Sequence, residues 1–308
     1  MKPLIKTIIY NPNKKIVEID KKMEYETLLF ELREDGIGIL TLNRPDKLNA
    51  MNFQMIEDLH QIFDNLMVNL DCRVLILKGA GRAFCAGLDL RESAILQTKK
   101  KPPELKEKFF YARAPDKDII KAKMYGQWRT SHLIPKMRKI SQPIIAVVQG
   151  AAAGAGFTFA LAADIRICGE KARFANSFIN IGFSGADLAS SYHLPRLIGM
   201  SRAAEILYTG RFVDAEEAEK IGLVFKLVDG DESKLLVSAM ELAEELLTKS
   251  PLGLRMTKEA INLTMDSPSL ETIMQLENRS QMLCSTSSDL MEGINAFFDK
   301  RKPKYPLM

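Results

Sequence analysis

The feature that most constrains this chain is a predicted buried strand that is followed, after Gln149, by seven residues that are all glycine or alanine. The apolar run from Ile144 to Val148 is typical of a buried strand that ends in a turn. The glycine and alanine residues, Gly150 to Gly156, then precede a predicted helix from Phe157 to Ala163, and Asp164 leads into a second strand. Because glycine weakens a helix, three glycines at its entrance need a physical reason.

Two explanations for these glycines remain open at the level of sequence. One is close packing of the helix on a strand. The other is that a bulky group approaches the backbone at the helix start, where free N–H groups carry partial positive charge. That geometry suits an oxyanion hole, which stabilises an oxygen that becomes negative during a reaction. An earlier predicted strand, 73–78, is also followed by a turn of small residues, 79–90. The turn at 79–90 and the turn at 150–156 can therefore bring two N–H donors together.

Composition excludes several classes of protein. A chain of 308 residues can form one large domain or two. The formal net charge of +4 is too small to indicate a nucleic-acid partner, although it is compatible with a phosphate-bearing ligand. The cysteines are far apart, which predicts neither a metal site nor a disulfide scaffold and favours a reducing compartment: Cys72, Cys85, Cys168 and Cys284. With no membrane span and no signal peptide predicted, we expect a cytoplasmic protein without a membrane partner.

Local patterns predict strand, strand and helix in repeated order. Residues 25–42 indicate a β-hairpin, and Asn52 is suited to cap a helix in which His60 is expected on the polar face. Residues 118–138 are predicted to be helical with an interruption at Pro135. The aromatic residues of this segment, Tyr125 and Trp128, are either core residues or walls of a pocket.

The remaining segments complete the predicted organisation of the chain. Residues 94–116 indicate a long loop, and the chain from 201 onward is mostly helical apart from a strand at 223–228. We predict an N-terminal extension at 1–24, a core at 25–200 and a mainly helical C-terminal region at 201–308.

Several motifs, in the same order along the chain, resemble those of the crotonase superfamily, also called the enoyl-CoA hydratase/isomerase superfamily. The matching segments cover roughly residues 25–303 and are 42–51, 81–90, 143–150, 163–166, 194–199, 215–224 and 296–301. This resemblance implies an α/β fold, namely a spiral of ββα repeats with a helical C-terminal trimerisation region. It also implies acyl-CoA thioester substrates.

The resemblance further implies a set of site residues. The backbone N–H groups of Leu88 and Ala155 would form the oxyanion hole that stabilises a thioester enolate. Residues implied around the coenzyme A moiety are Lys47, Ala86, Asp89, Leu90 and Arg91, together with Phe297 and Lys300 of a neighbouring subunit. Asp89 has an alternative role as the cap of a short helix. A homotrimer or homohexamer is expected, with no metal and no cofactor, because coenzyme A is part of the substrate.

The sequence departs from the hydratase pattern at the catalytic positions. Thr158 and Phe178 occupy the positions at which enoyl-CoA hydratases carry two glutamates, which puts ordinary hydration in doubt. Asp187 is the alternative acid, at a position similar to that of an acidic residue in dienoyl-CoA isomerases. It could also cap a helix that starts near Leu188 by accepting N–H bonds from Ser190 or Ser191.

Three hypotheses about the function follow from these observations. The first is a lyase or isomerase acting on an acyl-CoA, with Asp187 as the proton carrier. The second is a CoA-thioester hydrolase or decarboxylase that uses the same oxyanion hole. The third is a non-catalytic acyl-CoA-binding homologue.

Overall fold

The first two strands, β1 (Leu28–Leu32) and β2 (Ile37–Leu42), form the hairpin predicted for residues 25–42, with Leu28 opposite Leu42. The computed structural model describes residues 25–95, 108–109, 119–266 and 269–305. The predicted extension at 1–24 and most of the predicted loop at 94–116 therefore lie outside the described residues.

Two sheets organise the core. A six-stranded sheet has the order β1-β2-β3-β5-β7-β10, and a four-stranded sheet has the order β4-β6-β8-β9. The bounds of the later strands are β3 (Val74–Gly79), β4 (Ala83–Cys85), β5 (Ile144–Val148), β6 (Ala151–Ala153), β7 (Ile165–Gly169), β8 (Arg173–Ala175), β9 (Phe212–Asp214) and β10 (Lys226–Val228). Three successive strand pairs each place one strand in the large sheet and the next in the small sheet, mostly in parallel register. This arrangement is the predicted spiral.

Helices connect the strands and form the C-terminal region. Their bounds are α1 (Phe53–Val68), α2 (Leu90–Ile95), α3 (Ile119–Ser131), α4 (Leu133–Lys139), α5 (Ala155–Ala162), α6 (Ser190–Ile198), α7 (Met200–Thr209), α8 (Ala215–Lys220), α9 (Glu232–Leu247), α10 (Pro251–Thr264), α11 (Leu270–Ser285) and α12 (Ser288–Phe298). Asn52 caps α1 by accepting the N–H of Met55, as predicted. Among the described residues, no helix is long and apolar enough to cross a membrane.

The helical segment at 118–138 is interrupted at His132 and not at Pro135. Helix α3 ends at Ser131 and α4 begins at Leu133, which places Pro135 inside the first turn of α4. Proline has no N–H and its ring collides with the carbonyl four residues earlier, which here belongs to Ser131. The chain therefore breaks one turn before the proline, where proline can be accommodated in a new helix.

Two buried residues hold these elements in place. His60 is buried, which corrects the expectation of a polar-face position, and its Nε2 lies 2.7 Å from the Arg129 carbonyl oxygen of α3. Burial lowers the pKa of His60 to about 4. Arg166 is also buried and donates to carbonyl oxygens at the end of α5, including that of Ala163 at 2.7 Å, and to the Leu223 oxygen at 2.8 Å. Arg166 thus fixes the carboxyl end of α5.

Close backbone packing explains two of the three glycines at the entrance of α5. A β-carbon added at Gly150 would lie 2.0 Å from the Arg82 carbonyl oxygen, and one at Gly156 would lie 2.0 Å from that of Cys85. The third glycine, Gly154, instead has a positive φ of 51° immediately before the helix. The close-packing explanation is therefore confirmed for Gly150 and Gly156, while Gly154 supplies a turn that other residues adopt poorly.

This packing predicts the effect of a single methyl group. We expect Gly156→Ala to lower the free energy of unfolding by about 3 kcal/mol, because the added carbon would meet backbone rather than a movable side chain. Chemical denaturation measures the change. Gly169→Ala is the matched control, since its added carbon would lie 3.4 Å from the Leu235 side chain, an ordinary contact. Equal stability of the two variants would contradict the packing argument.

Candidate active site

The two glycine-rich turns lie side by side. A β-carbon added at Gly87 would lie 3.0 Å from the Ala153 carbonyl oxygen and 3.6 Å from the Ala155 nitrogen. One added at Gly154 would lie 3.8 Å from the Gly87 Cα. The turn after β3 and β4 and the turn after β5 and β6 thus meet at Gly87, next to the two residues whose N–H groups the family resemblance implies as donors, Leu88 and Ala155.

The N–H of Leu88 is not used by the hydrogen bonds that hold the surrounding described residues together. Met51 donates to the Gly87 oxygen at 2.8 Å and accepts from the Asp89 N–H at 2.9 Å, which makes an isolated parallel bridge. In such a bridge the N–H of the middle residue points away from the partner strand. Accordingly, the Leu88 N–H has no acceptor within the described part of the chain.

Ala155 supplies a second free N–H. It is the first residue of α5 and is fully buried. The first four N–H groups of a helix have no partner within the helix and carry partial positive charge. No acceptor for the Ala155 N–H is found among residues 25–95, 108–109, 119–266 and 269–305. Leu88 and Ala155 therefore present, on adjoining turns, two backbone donors that no described residue pairs.

A cavity of about 700 Å³ opens beside Leu88. Its walls come from α1, α3, the turn at Leu88 and the loop before α6, and they include Met51, Phe53, Ile56, Trp128, Phe183 and Asp187. Asp187 is the only ionisable side chain among the described residues that line it. The cavity therefore combines one backbone donor, one carboxyl group and a mainly apolar surface.

Asp187 is held by two hydrogen bonds to the same oxygen. Its Oδ1 accepts from Gln127 Nε2 at 2.6 Å and from the Leu188 N–H at 2.7 Å. The suggestion that Asp187 caps a helix is wrong, because α6 begins at Ser190, follows Ala189 and has no side-chain cap. The Ser190 N–H instead bonds to the main-chain oxygen of Asp187 at 2.9 Å. The carboxyl group is therefore not committed to a helix terminus.

The two positions that lack glutamates lie close to the second turn. Thr158 is buried, and its hydroxyl donates to the Ala155 carbonyl oxygen at 2.8 Å. The Phe178 ring lies 3.6 Å from a β-carbon added at Gly154. This side of the turn therefore carries a hydroxyl that bonds its own helix and an apolar ring, and neither side chain is a carboxylate.

Most of the residues assigned to coenzyme A lie on one outer rim. The Ala86 N–H donates to the Leu48 carbonyl oxygen at 2.9 Å, and Leu48 directly follows the exposed Lys47. This bond therefore holds Lys47 close to the first glycine-rich turn. Leu90 and Arg91 begin α2 and are exposed. The structure thus brings Lys47, Ala86, Leu90 and Arg91 to neighbouring segments.

Asp89 is engaged within the protein. Its Oδ2 pairs with Arg44 Nη2 at 3.1 Å, and its Oδ1 accepts the Glu92 N–H at 3.3 Å. The helix-cap alternative for Asp89 is therefore confirmed. Burial is the largest influence on Glu92 and raises its pKa, while its Oε2 accepts the Phe53 N–H at 2.7 Å.

Phe297 and Lys300 lie elsewhere within one chain. Phe297, on α12, is 79% exposed and contacts Phe298, with ring centroids 5.7 Å apart. It lines a different depression, between the C-terminal helices. Lys300 follows α12 with a positive φ of 52° and is exposed. The structure of one chain does not bring these two residues to the wall of the cavity that contains Asp187.

Three side chains of α3 have positions that the sequence analysis left open or did not predict. Trp128 lines the cavity and is 49% exposed, whereas Tyr125 is 48% exposed and is not among its lining residues. The alternative that Tyr125 and Trp128 are core residues is therefore wrong. The alternative that these residues line a pocket is confirmed for Trp128 only. Gln127 was missed, since a glutamine on a solvated helix face carries no signal until its tertiary partner is known.

Comparison with known proteins places the chain in one family. The family model described as enoyl-CoA hydratase/isomerase matches residues 32–306. The 1,2-epoxyphenylacetyl-CoA isomerase of Escherichia coli (strain K12) is 35% identical over 272 residues, which are 88% of this chain and 95% of that protein. The probable enoyl-CoA hydratase echA12 of Mycobacterium leprae is 32% identical over 288 residues, covering 94% of this chain and 92% of that protein.

Solved structures agree with the sequence comparisons. A putative enoyl-CoA hydratase from Streptomyces coelicolor A3(2) is 32% identical with a TM-score of 0.79, and the match covers 100% of both chains. A probable enoyl-CoA hydratase/isomerase from Mycobacterium abscessus is 31% identical with a TM-score of 0.76, over 91% of this chain and 98% of that chain. The chain therefore belongs to the enoyl-CoA hydratase/isomerase family of enzymes, within the crotonase superfamily.

Proposed function

We propose that this enzyme is an acyl-CoA lyase or isomerase in which the N–H groups of Leu88 and Ala155 stabilise a thioester enolate and Asp187 carries the proton. The observation that carries this proposal is that Leu88 and Asp187 line the same cavity, where Asp187 is the only ionisable side chain among the described residues. An acyl group in this cavity would have its carbonyl beside the Leu88 donor and a carboxyl group in the same mainly apolar cavity.

The proposed chemistry follows from these groups. Asp187 removes a proton from a carbon of the acyl chain, and the electron pair of the broken C–H bond moves into the thioester as an enolate. The negative charge develops on the carbonyl oxygen, where two backbone donors stabilise it. Return of the proton to another carbon completes an isomerisation, and loss of a leaving group completes an elimination. Neither step requires a metal or a redox cofactor.

The test is the fate of deuterium from the solvent. We would incubate the protein with enoyl-, dienoyl- and hydroxyacyl-CoA esters in deuterated water and measure product masses. Deuterium in a product of unchanged composition supports isomerisation, whereas gain or loss of water supports a lyase. Release of free coenzyme A or carbon dioxide would favour the alternative hydrolase or decarboxylase, and binding without turnover would favour a non-catalytic homologue.

A ring-bearing acyl group is a second candidate for the substrate class. Aromatic side chains from three separate elements line the cavity, namely Phe53, Trp128 and Phe183. Flat apolar side chains of this kind favour contact with another ring. A similar protein carries the name 1,2-epoxyphenylacetyl-CoA isomerase, which is compatible with this candidate. Comparison of kcat/KM for aryl and linear acyl-CoA esters tests it.

We also propose that the active enzyme is a trimer or a dimer of trimers. The C-terminal helices expose large apolar side chains, among them Leu270 at 77%, Phe297 at 79% and Phe298 at 75%. Exposed apolar surface of this kind marks an interaction site. In the assembly, Phe297 would cover the adenine ring and Lys300 would bind a phosphate at a neighbouring subunit's site.

This assembly predicts the effect of removing one charge. We expect Lys300→Ala to weaken coenzyme A binding by about 10-fold, because a charge-assisted contact with phosphate would be lost. Titration calorimetry measures the affinity, and light scattering measures the mass of the assembly. Lys302→Ala is the matched control at another exposed position of the same tail. A clean monomer that binds coenzyme A with full affinity would contradict the shared site.

A further inference from the structure

Gln127 reaches the carboxyl group of Asp187 from the opposite wall of the cavity. Gln127 belongs to α3, whereas Asp187 lies in the loop that precedes α6, and both side chains line the cavity. The distance from Gln127 Nε2 to Asp187 Oδ1 is 2.6 Å, which is short for an N–H···O bond. Because the donor is neutral and the acceptor is a carboxylate, this bond is charge-assisted.

The second donor to Asp187 uses the same oxygen. The Leu188 N–H lies 2.7 Å from Oδ1. Oδ2 has no hydrogen-bond donor among the residues that the structure describes. A proton on Oδ1 would compete with two N–H donors that already point at that oxygen, whereas a proton on Oδ2 would meet no such conflict.

We propose that Gln127 is a positioning residue that fixes Oδ1 of Asp187 and leaves Oδ2 as the oxygen that exchanges the proton with the substrate. This inference rests on the proposed role of Asp187 as proton carrier. In the proton-transfer step, the C–H bond of the acyl group breaks, an O–H bond forms at Oδ2, and the electron pair remains with the enolate. The proton then returns from Oδ2 to a carbon of the product.

Other ionisable groups on the neighbouring elements are engaged elsewhere. On α3, Arg129 pairs with Glu57 at 2.6 Å. On α6, the Tyr192 hydroxyl donates to Asp266 at 2.5 Å. Burial is the main cause that lowers the pKa of His193 to about 4. The His193 imidazole is therefore neutral near pH 7. Other described charged or titratable groups on or beside these elements include Tyr125, His132, Arg196 and the pair of Arg211 with Glu205. None of them lines the cavity.

Paired substitutions at Gln127 test the proposal. Gln127→Met keeps the length of the side chain and removes the donor to Oδ1. We expect kcat to fall by about 10-fold while KM stays near the wild-type value, because loss of one hydrogen bond to the carboxyl group misplaces Oδ2. Gln127→Lys supplies another donor of similar length and is expected to keep a rate closer to that of the wild type. A merely structural role would not separate these two variants.

A measurement that does not depend on turnover separates this inference from the proposed function. The side-chain amide signals of Gln127, identified by their loss in Gln127→Met, are followed by NMR. They are expected to shift in Asp187→Ala, which removes the acceptor, and to stay unchanged in Asp229→Ala, which makes the same change at an exposed position after β10. Gln61→Met, at an exposed position of α1, is the matched control for the kinetics of Gln127→Met.

The outcomes are distinguishable. Wild-type kcat in Gln127→Met, or amide signals of Gln127 that do not move in Asp187→Ala, would overturn the positioning role. Full activity of Asp187→Asn would overturn Asp187 as the proton carrier, whatever the result at Gln127. An equal loss of rate in Gln127→Met and Gln127→Lys would also overturn the proposal, because a hydrogen-bond donor at this position would then make no difference to the reaction.

Discussion

Asp187→Asn is expected to lower turnover on the true substrate by about 100-fold or more, the usual scale for general acid–base catalysis. Asparagine can keep its Oδ1 as the acceptor of the bonds from Gln127 and Leu188 that the structure records. Its Nδ2 then replaces Oδ2 and cannot accept a proton. The variant should therefore keep its fold while it loses its chemistry.

Steady-state kinetics and thermal denaturation together decide this prediction. Asp229→Asn is the matched control, because Asp229 is exposed in the turn that follows β10. It should retain both turnover and stability. If a stable Asp187→Asn enzyme kept full activity on its true substrate, Asp187 would have no role in proton transfer and a hydrolase or binding function would gain support.

Ala155→Pro is expected to lower turnover by about 100- to 1000-fold, which is the cost of removing one oxyanion donor. Ala155 is the first residue of α5, and proline is tolerated at that position because its N–H is not used within the helix. The substitution therefore removes the donor while the residue stays small. Coenzyme A binding should be largely retained, since the rim that contains Lys47 and Ala86 is unchanged.

The close approach of Gly87 to the Ala155 nitrogen makes a control for folding necessary. Ala215→Pro introduces the same change at the first residue of another helix, α8, where Asp214 already provides a side-chain cap. We expect Ala215→Pro to retain turnover. Circular dichroism and coenzyme A affinity verify that Ala155→Pro is folded. An undiminished rate in folded Ala155→Pro would exclude the Ala155 N–H as a catalytic donor.

The sequence was sufficient to predict the strands and helix caps that depend on local patterns of residues. The apolar run at 144–148 became β5, and Asn52 caps α1 as predicted. These predictions succeed because burial periodicity and helix capping act between residues that are close along the chain. The family motifs were also sufficient to indicate the fold, since together they span most of the chain.

Tertiary structure decided how the residues of the candidate site are used. Gly150 and Gly156 serve close packing against the carbonyl groups of Arg82 and Cys85, and sequence alone could not separate this role from ligand approach. Asp187 is not a helix cap, because the chain turns at Ala189 and α6 starts later than local pattern suggested. In each case the deciding contact joins segments that are distant in sequence or depends on the path of a loop.

What the sequence determined by itself is the strands of the six-stranded sheet, most of the helices and the residues that flank the two glycine-rich turns, because hydrophobic period and turn chemistry are local. The short strands of the four-stranded sheet were not predicted, and β4 and β6 lie within segments that were interpreted as turns. What only the tertiary structure decided is which polar groups are already paired. Asp89 is engaged by Arg44, His60 is buried against α3, and Gln127 meets Asp187 across 60 residues of chain. Hydrogen-bond partners of this kind are selected by the packing of separate elements, so no local pattern encodes them.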